Sequence, residues 1–101
     1  MDRIIETQDQ YFAVLKEAIQ QTEEYIKHYP EINMYQSILN QLVFIQNIVM
    51  IERRIPTEDE VEKLTLGSIA VKNFDYENDP YADLLMDCYS KCLRYTSLRP
   101  S

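Results

Sequence analysis

Few side chains in this sequence are of types that can act as catalytic or zinc-binding groups. His28 is the single histidine, and no carboxylate or thiol partner is evident for it in the sequence. Cys88 and Cys92 lie four residues apart, a spacing that places both thiols on one face of a helix. Two thiols do not complete a zinc site, which needs four ligands. We interpret His28 as a surface residue near a helix end, and the cysteines as small core hydrophobes.

The acidic clusters resemble metal sites only superficially. The run Glu58–Glu60 follows Thr57, and a helix start explains it through a capping box and the positive end of the helix dipole. Asp75, Glu77 and Asp79 lack the internal glycine and the closing glutamate of a calcium loop. One glycine in the whole chain excludes a glycine-rich phosphate loop. We therefore predict no catalytic residue, no cofactor and no metal site.

The net charge of −7 is concentrated in one part of the chain. Residues 57–90, here called the acidic segment, hold nine acidic and two basic residues, while the remainder holds eight of each. A surface of this sign repels nucleic acid and anionic lipid, and favours a basic protein partner. The chain begins without the apolar stretch of a signal peptide and has no apolar run near the ~20 residues of a membrane span. We expect a cytoplasmic protein.

The elements that carry these residues are predicted to be helices. The chain of 101 residues has the size of one domain, so we assign residues 1–101 to a single domain. One glycine and four prolines are too few turn formers for a β-sandwich or barrel. The prediction is an all-α fold: a compact bundle of four main helices plus one short helix.

The first two helices are read from apolar spacing. Thr7 with Gln10 forms a capping box at the first start, although a start near Asp2 is equally compatible. The Tyr29–Pro30 pair ends this helix, because a residue before proline avoids the helical region. Pro30 is then an early residue of a second helix, which extends to about Ile51. This second helix is so apolar that we expect it to lie at the centre of the bundle, with contacts on more than one side.

Three further helices follow. A short one is predicted from the Thr57 cap to about Leu64. Helical spacing also fits the run Leu66–Phe74, with Gly67 inside it or at a junction, where a small residue lets a neighbouring helix approach. Asp79 and Pro80 read as the cap and first residue of a last helix to about Ser97, followed by a frayed tail.

The acidic segment also contains the candidate partner-binding residues. Tyrosine rings provide contact area at small entropic cost, and carboxylates steer a basic partner. The alternative, that the tyrosines pack onto the bundle, is equally compatible with the sequence. The predicted contact residues are, in first rank, Asp75, Tyr76, Glu77, Asp79 and Tyr81, and in second rank Glu58, Asp59 and Glu62.

One stretch is recognisable. Residues Leu64–Lys72 (LTLGSIAVK), with Phe74–Asp75 and Asp79–Pro80, closely resemble a segment of a family of small bacterial immunity proteins. These are encoded beside type VI secretion toxins, and the best-known member neutralises an NAD(P)+ glycohydrolase. Weaker similarity extends to Tyr29–Pro30 and Gln41–Leu42, and forward through residues 85–89, about two thirds of the chain in all.

The resemblance implies an all-helical protein without catalytic activity. It also implies a tight complex with a cognate toxin in the cytoplasm, in which the immunity protein covers the active-site cleft and keeps NAD out. Because the N-terminal half diverges, the toxin is either a glycohydrolase or an ADP-ribosyltransferase. A helical adaptor or chaperone for a secreted effector is the alternative function. We expect the recognised stretch to be scaffold, with Gly67 at the centre of the bundle, and the residues after it to touch the partner.

Overall fold

The computed structural model describes residues 4–75 and 78–99. Its main helices are α1 (Gln8–His28), α2 (Asn33–Gln46), α4 (Leu66–Asn73) and α5 (Pro80–Cys92), and α3 (Glu58–Glu62) is a single short helix. A π-helical turn, Asn47–Ile51, continues α2, and a 3-10 turn, Tyr95–Ser97, follows α5. The predicted all-α fold of four main helices plus a short one is confirmed.

Helix α1 lies at the centre of the fold, because it packs against both α2 and α5, while α4 packs against α5. Its start is the predicted capping box: the Gln10 amide N–H donates to Thr7 Oγ1 at 3.2 Å, and the Thr7 N–H donates to Gln10 Oε1 at 3.0 Å. It ends at His28, with Tyr29 as its cap, as predicted.

Helix α2 begins at Asn33, so the predicted start at Pro30 is wrong. Pro30 and Glu31 instead form a turn, closed by the Ile32 N–H donating to the Tyr29 carbonyl at 3.1 Å. Proline suits the second position of such a turn as well as the first turn of a helix, and the local sequence does not distinguish them.

The expected central position of α2 is also wrong. Helix α1 covers the face that carries Ile38, Leu42 and Ile45, but Val43 and Phe44 are 38% and 36% exposed. Ile51, in the π-helical turn, is 73% exposed. Apolar composition alone does not tell how many sides of a helix are covered.

The end of α2 is irregular. The Glu52 N–H donates to the Asn47 carbonyl at 3.0 Å, the i to i+5 bond of a π-turn. Arg53 then adopts φ 56°, in the left-handed region, and stops the helix. Its guanidinium carbon lies 5.7 Å from the centre of the Phe12 ring, a cation–π contact with α1.

The start of α4 is held by a side chain from α2. Thr65 is the cap residue of α4, and its own hydroxyl makes no capping bond. Instead, the Thr65 N–H donates to Gln41 Oε1 at 2.8 Å, and Gln41 Nε2 donates to Thr65 Oγ1 at 3.0 Å. This reciprocal pair fixes where α4 begins relative to α2.

Helix α5 begins as predicted, with the Asp79 carboxylate accepting from the Tyr81 N–H at 2.9 Å. It ends at Cys92, short of the expected Ser97. The tail is not frayed as far as Arg99, since the Arg99 N–H donates to the Glu6 carbonyl at 3.1 Å. The Gln8 N–H returns a bond of 2.9 Å to the Arg99 carbonyl, which ties the two ends of the described chain together.

The predicted core positions of the two cysteines are confirmed. Cys88 and Cys92 are both fully buried, and Tyr11 Oη donates to the Cys88 carbonyl at 2.7 Å across the α1–α5 contact. Burial raises the pKa of the Cys92 thiol to about 12, so it stays protonated. Among the described residues, no helix has both the length and the hydropathy needed to cross a membrane.

Candidate functional site

Helix α3 presents three exposed carboxylates to solvent, Glu58, Asp59 and Glu62. These are the second-rank residues of the predicted contact surface. Their positions in a five-residue helix follow from the Thr57 capping box, in which the Thr57 N–H donates to Glu60 Oε1 at 2.8 Å. Helix α3 therefore presents three negative charges to solvent from a well-defined backbone.

The fourth acid of α3, Glu60, has a structural role. Arg54 grips its carboxylate with both terminal nitrogens, at 2.7 and 2.9 Å, and the two side chains are 37% and 20% exposed. These bonds, with those from Thr57, lower the pKa of Glu60 to about 2. The pair joins α3 to the end of α2 and so fixes the orientation of the three free carboxylates.

Asp75, which follows α4, is hydrogen-bonded to the residues that precede α5. The N–H groups of Asn78 and Asp79 both donate to the Asp75 carbonyl, at 2.9 and 2.7 Å. The exposed Asp75 carboxylate accepts from Asn78 Nδ2 at 2.9 Å, and Asp79 is half-buried as the cap of α5. Tyr76 and Glu77, also predicted as contact residues, lie outside the described residues.

Tyr81 is not an exposed contact residue. Its side chain is 2% exposed, and its hydroxyl lies 2.6 Å from Thr22 Oγ1. Its ring packs edge-on against Tyr25 at 4.8 Å and Phe74 at 5.5 Å between ring centres. The alternative interpretation, packing onto the bundle, is the one observed, because the first turn of α5 faces α1 here.

The fold brings other tyrosines close to Asp79, and these were not among the predicted contact residues. Tyr25 and Tyr35 stack with ring centres 5.0 Å apart, and Tyr29, 47% exposed, lies 6.4 Å from Tyr35. Burial, and then the nearby Asp79 carboxylate, raise the pKa of Tyr25. This tyrosine cluster (Tyr25, Tyr29, Tyr35) comes from α1, its cap residue and α2, so no spacing within the acidic segment could reveal it.

A groove of about 350 Å³ runs between α4 and α5. Gly67 lies in its wall, and a Cβ placed there would sit 3.2 Å from two ring carbons of Tyr89. Gly67 therefore does admit a neighbouring helix, as predicted, but it is half-buried at a surface groove and not at the centre of the bundle. The lining residues are Leu64, Gly67, Ser68, Val71, Lys72, Met86 and Tyr89.

The recognised stretch Leu64–Lys72 is thus both scaffold and surface. Leu66 and Ala70 are fully buried, whereas Val71 is 55% exposed in the groove. The expected scaffold role holds for Leu66 and Ala70, which pack in the core, and stays a prediction for the residues that line the groove.

His28 and the acidic side chains, which were considered as catalytic or metal-binding groups, do not form a common site in the described residues. His28 Nε2 lies 3.8 Å from Glu24 Oε2, one turn away on α1, and both side chains are about two-thirds exposed (68% and 67%). Within residues 4–75 and 78–99, no three His, Cys, Asp or Glu side chains are grouped so that they could hold a metal ion. The described surface carries exposed carboxylates, partly exposed tyrosines and a groove between α4 and α5.

Comparison with known protein families supports a binding role. The family model Tsi6 matches residues 10–94, which include α2 to α5 and all but the first two residues of α1. Comparisons with curated proteins and with solved structures give no match. The match exceeds half of the chain and includes the residues that line the groove. The chain therefore belongs to the Tsi6 family, the type VI secretion immunity proteins that pair with an NAD(P)+ glycohydrolase effector.

Proposed function

We propose that this protein is a cytoplasmic, non-catalytic immunity protein that binds a cognate NAD-consuming toxin and occludes its active site. The toxin is an NAD(P)+ glycohydrolase or an ADP-ribosyltransferase. The observation that carries the proposal, beside family membership, is that the acidic segment holds the entire net charge of −7.

The electrostatic argument concerns the substrate. A cleft that binds NAD attracts the two negative phosphates of the dinucleotide with a positive field. An acidic protein surface is drawn to the same field, which speeds association and places the inhibitor over the cleft. Once there, it excludes NAD by competing for the same volume, and no chemistry on the inhibitor is required.

The contact surface we propose has two acidic parts and one apolar part. Glu58, Asp59 and Glu62 form one part on α3, and the loop residues Asp75, Tyr76, Glu77 and Asp79 form the other. The tyrosine cluster beside Asp79 adds ring area next to the charge. The α4–α5 groove accepts an apolar side chain of the toxin, since buried anchor side chains supply most of the affinity in protein interfaces.

The direct test uses the toxin encoded beside this gene. NAD consumption by the purified toxin is measured with and without this protein, together with growth of cells that express both. We expect loss of NAD consumption and restored growth. Binding without inhibition would indicate the adaptor function instead, and absence of binding would reject the proposal.

The surface is tested by charge substitution. Glu77→Lys combined with Asp79→Asn removes charge from the loop while an asparagine still caps α5. We expect weaker binding and a smaller dependence of affinity on salt concentration. The control matched in net charge is Glu23→Lys with Glu24→Gln, on exposed positions of α1 outside the acidic segment. Equal affinities for the two variants would remove the loop from the contact surface.

A further inference from the structure

The outer face of α2 is unusual for a helix at a protein surface. No charged residue and no histidine occurs between Glu31 and Glu52. Of the nine large hydrophobic residues exposed in the described part of the chain, six lie between Tyr29 and Ile55. The exposed apolar surface is therefore concentrated around this one helix.

The exposed side chains of this face are of two kinds. Val43, Phe44 and Ile51 are apolar, with Ile51 exposed to 73%, and Gln36, Asn40 and Asn47 are exposed amides. We call these six residues the outer face of α2. A solvated helix face normally carries charges, whereas the centre of a protein interface is depleted of them. The composition of this face is that of an interface.

We propose that the outer face of α2 is the surface through which two copies of this chain pair as a symmetric dimer. Each copy carries a net charge of −7, so copies that approach through the acidic segment repel one another. Contact through α2 brings together surfaces that carry no charge.

The amides favour a second copy over a different partner. In a two-fold interface each side meets the same surface. A carboxylate face cannot satisfy itself in this way, but an amide both donates and accepts hydrogen bonds. Gln36 Nε2 already donates to Asn40 Oδ1 at 2.9 Å, which shows that amides of this face pair with each other. A basic toxin would find no complementary charge here.

The dimer does not depend on the proposed immunity function. It covers the outer face of α2, which does not include the tyrosine cluster, and leaves that cluster, α3, the residues around Asp75 and the α4–α5 groove to other partners. A variant that cannot dimerise is therefore expected to bind the toxin with unchanged affinity per chain.

The test is the mass of the purified full chain in solution, measured by sedimentation velocity over about two decades of concentration. We expect the mass to rise from that of the 12.0 kDa chain towards twice that value. Val43→Glu with Ile51→Glu places like charges in both copies, and we expect the dissociation constant to rise at least about tenfold. Ile4→Glu with Leu93→Glu is the matched control, because these two apolar residues are 69% and 41% exposed and lie outside the outer face of α2.

A second variant guards against a folding defect. Asn40→Lys adds charge to the same face without removing an apolar side chain. We expect it to weaken the dimer, with an unchanged circular dichroism spectrum and an unchanged melting temperature at concentrations where the wild type is monomeric. A chain that remains at 12.0 kDa at all concentrations overturns the proposal. A dimer that persists in both variants also overturns it. If the chain is monomeric and the variants lose toxin binding, the proposal is likewise overturned and the face belongs to the toxin interface.

Discussion

The buried hydroxyl pair of Thr22 and Tyr81 allows a prediction about how α5 is held on α1. The two oxygens are 2.6 Å apart, and Thr22 Oγ1 also lies 2.7 Å from the Ala18 carbonyl. A hydroxyl has a single hydrogen, and the carbonyl can only accept. Thr22 therefore donates to Ala18, and Tyr81 donates to Thr22.

Because of this bond direction, truncation of Tyr81 and truncation of Thr22 are expected to lower the free energy of unfolding by different amounts. Tyr81→Phe removes the donor and leaves Thr22 bonded to Ala18, so we expect a loss of about 1 kcal/mol in the free energy of unfolding. Thr22→Val leaves the Tyr81 hydroxyl, on a side chain only 2% exposed, without its acceptor. An unsatisfied buried donor costs about 1–3 kcal/mol. The double variant contains no orphaned group and is expected to be more stable than Thr22→Val alone.

The assay is denaturant unfolding of the wild type, both single variants and the double variant. In a chain of this size, 1 kcal/mol corresponds to a melting-temperature change of about 4–8 °C, which is readily measured. A double variant less stable than Thr22→Val refutes the assigned direction of the bond. Unchanged toxin affinity for Tyr81→Phe is also expected, and a weakened affinity at unchanged stability would return Tyr81 to the contact surface.

Three further predictions concern the groove, the α2–α3 junction and the core. Gly67→Ala is expected to displace the Tyr89 ring and so to weaken toxin binding in a titration. Its stability is expected to stay within about 1 kcal/mol of wild type, because the higher helix propensity of alanine offsets the close contact with Tyr89. An affinity equal to that of the wild type would exclude the groove from the interface. Glu60→Gln keeps the capping acceptor but loses the Arg54 pair, so its stability deficit is expected at neutral pH. The folded-state pKa of Glu60 is lowered from 4.5 to about 2, so the stability deficit of Glu60→Gln should shrink as pH falls through this range. The measurement is unfolding at several pH values, with Glu62→Gln as the control. A deficit that does not depend on pH would contradict the ion pair. Cys88 and Cys92 should react with a thiol reagent only as fast as the protein unfolds, and rapid reaction in the native protein would show that they are accessible.

The features that the sequence predicted correctly are local. The caps at Thr7, Thr57 and Asp79 each depend on a side chain bonding to a backbone group two or three residues away, and all three are present. Such bonds need no knowledge of the rest of the fold. Apolar spacing likewise predicted a long first helix, and the buried face of α1 carries Tyr11 and Leu15.

The features that were missed depend on contacts between distant segments. Tyr81 was assigned to the surface because acids surround it in sequence, but its environment is made by Thr22 and Tyr25 of α1. The tyrosine beside Asp79 is Tyr25, more than fifty positions earlier in the chain. The exposed side of α2 was missed because composition does not say which neighbours a helix has.

The π-helical turn at the end of α2 bears on how chain length can vary among relatives. The bond from the Glu52 N–H to the Asn47 carbonyl closes a turn with one residue more than an α-turn holds. Loss of a single residue from Asn47–Ile51 would restore an ordinary α-turn, with the α1–α2 packing before it and the Arg54–Glu60 pair after it retained. We therefore expect one-residue gaps in family alignments to fall in this turn.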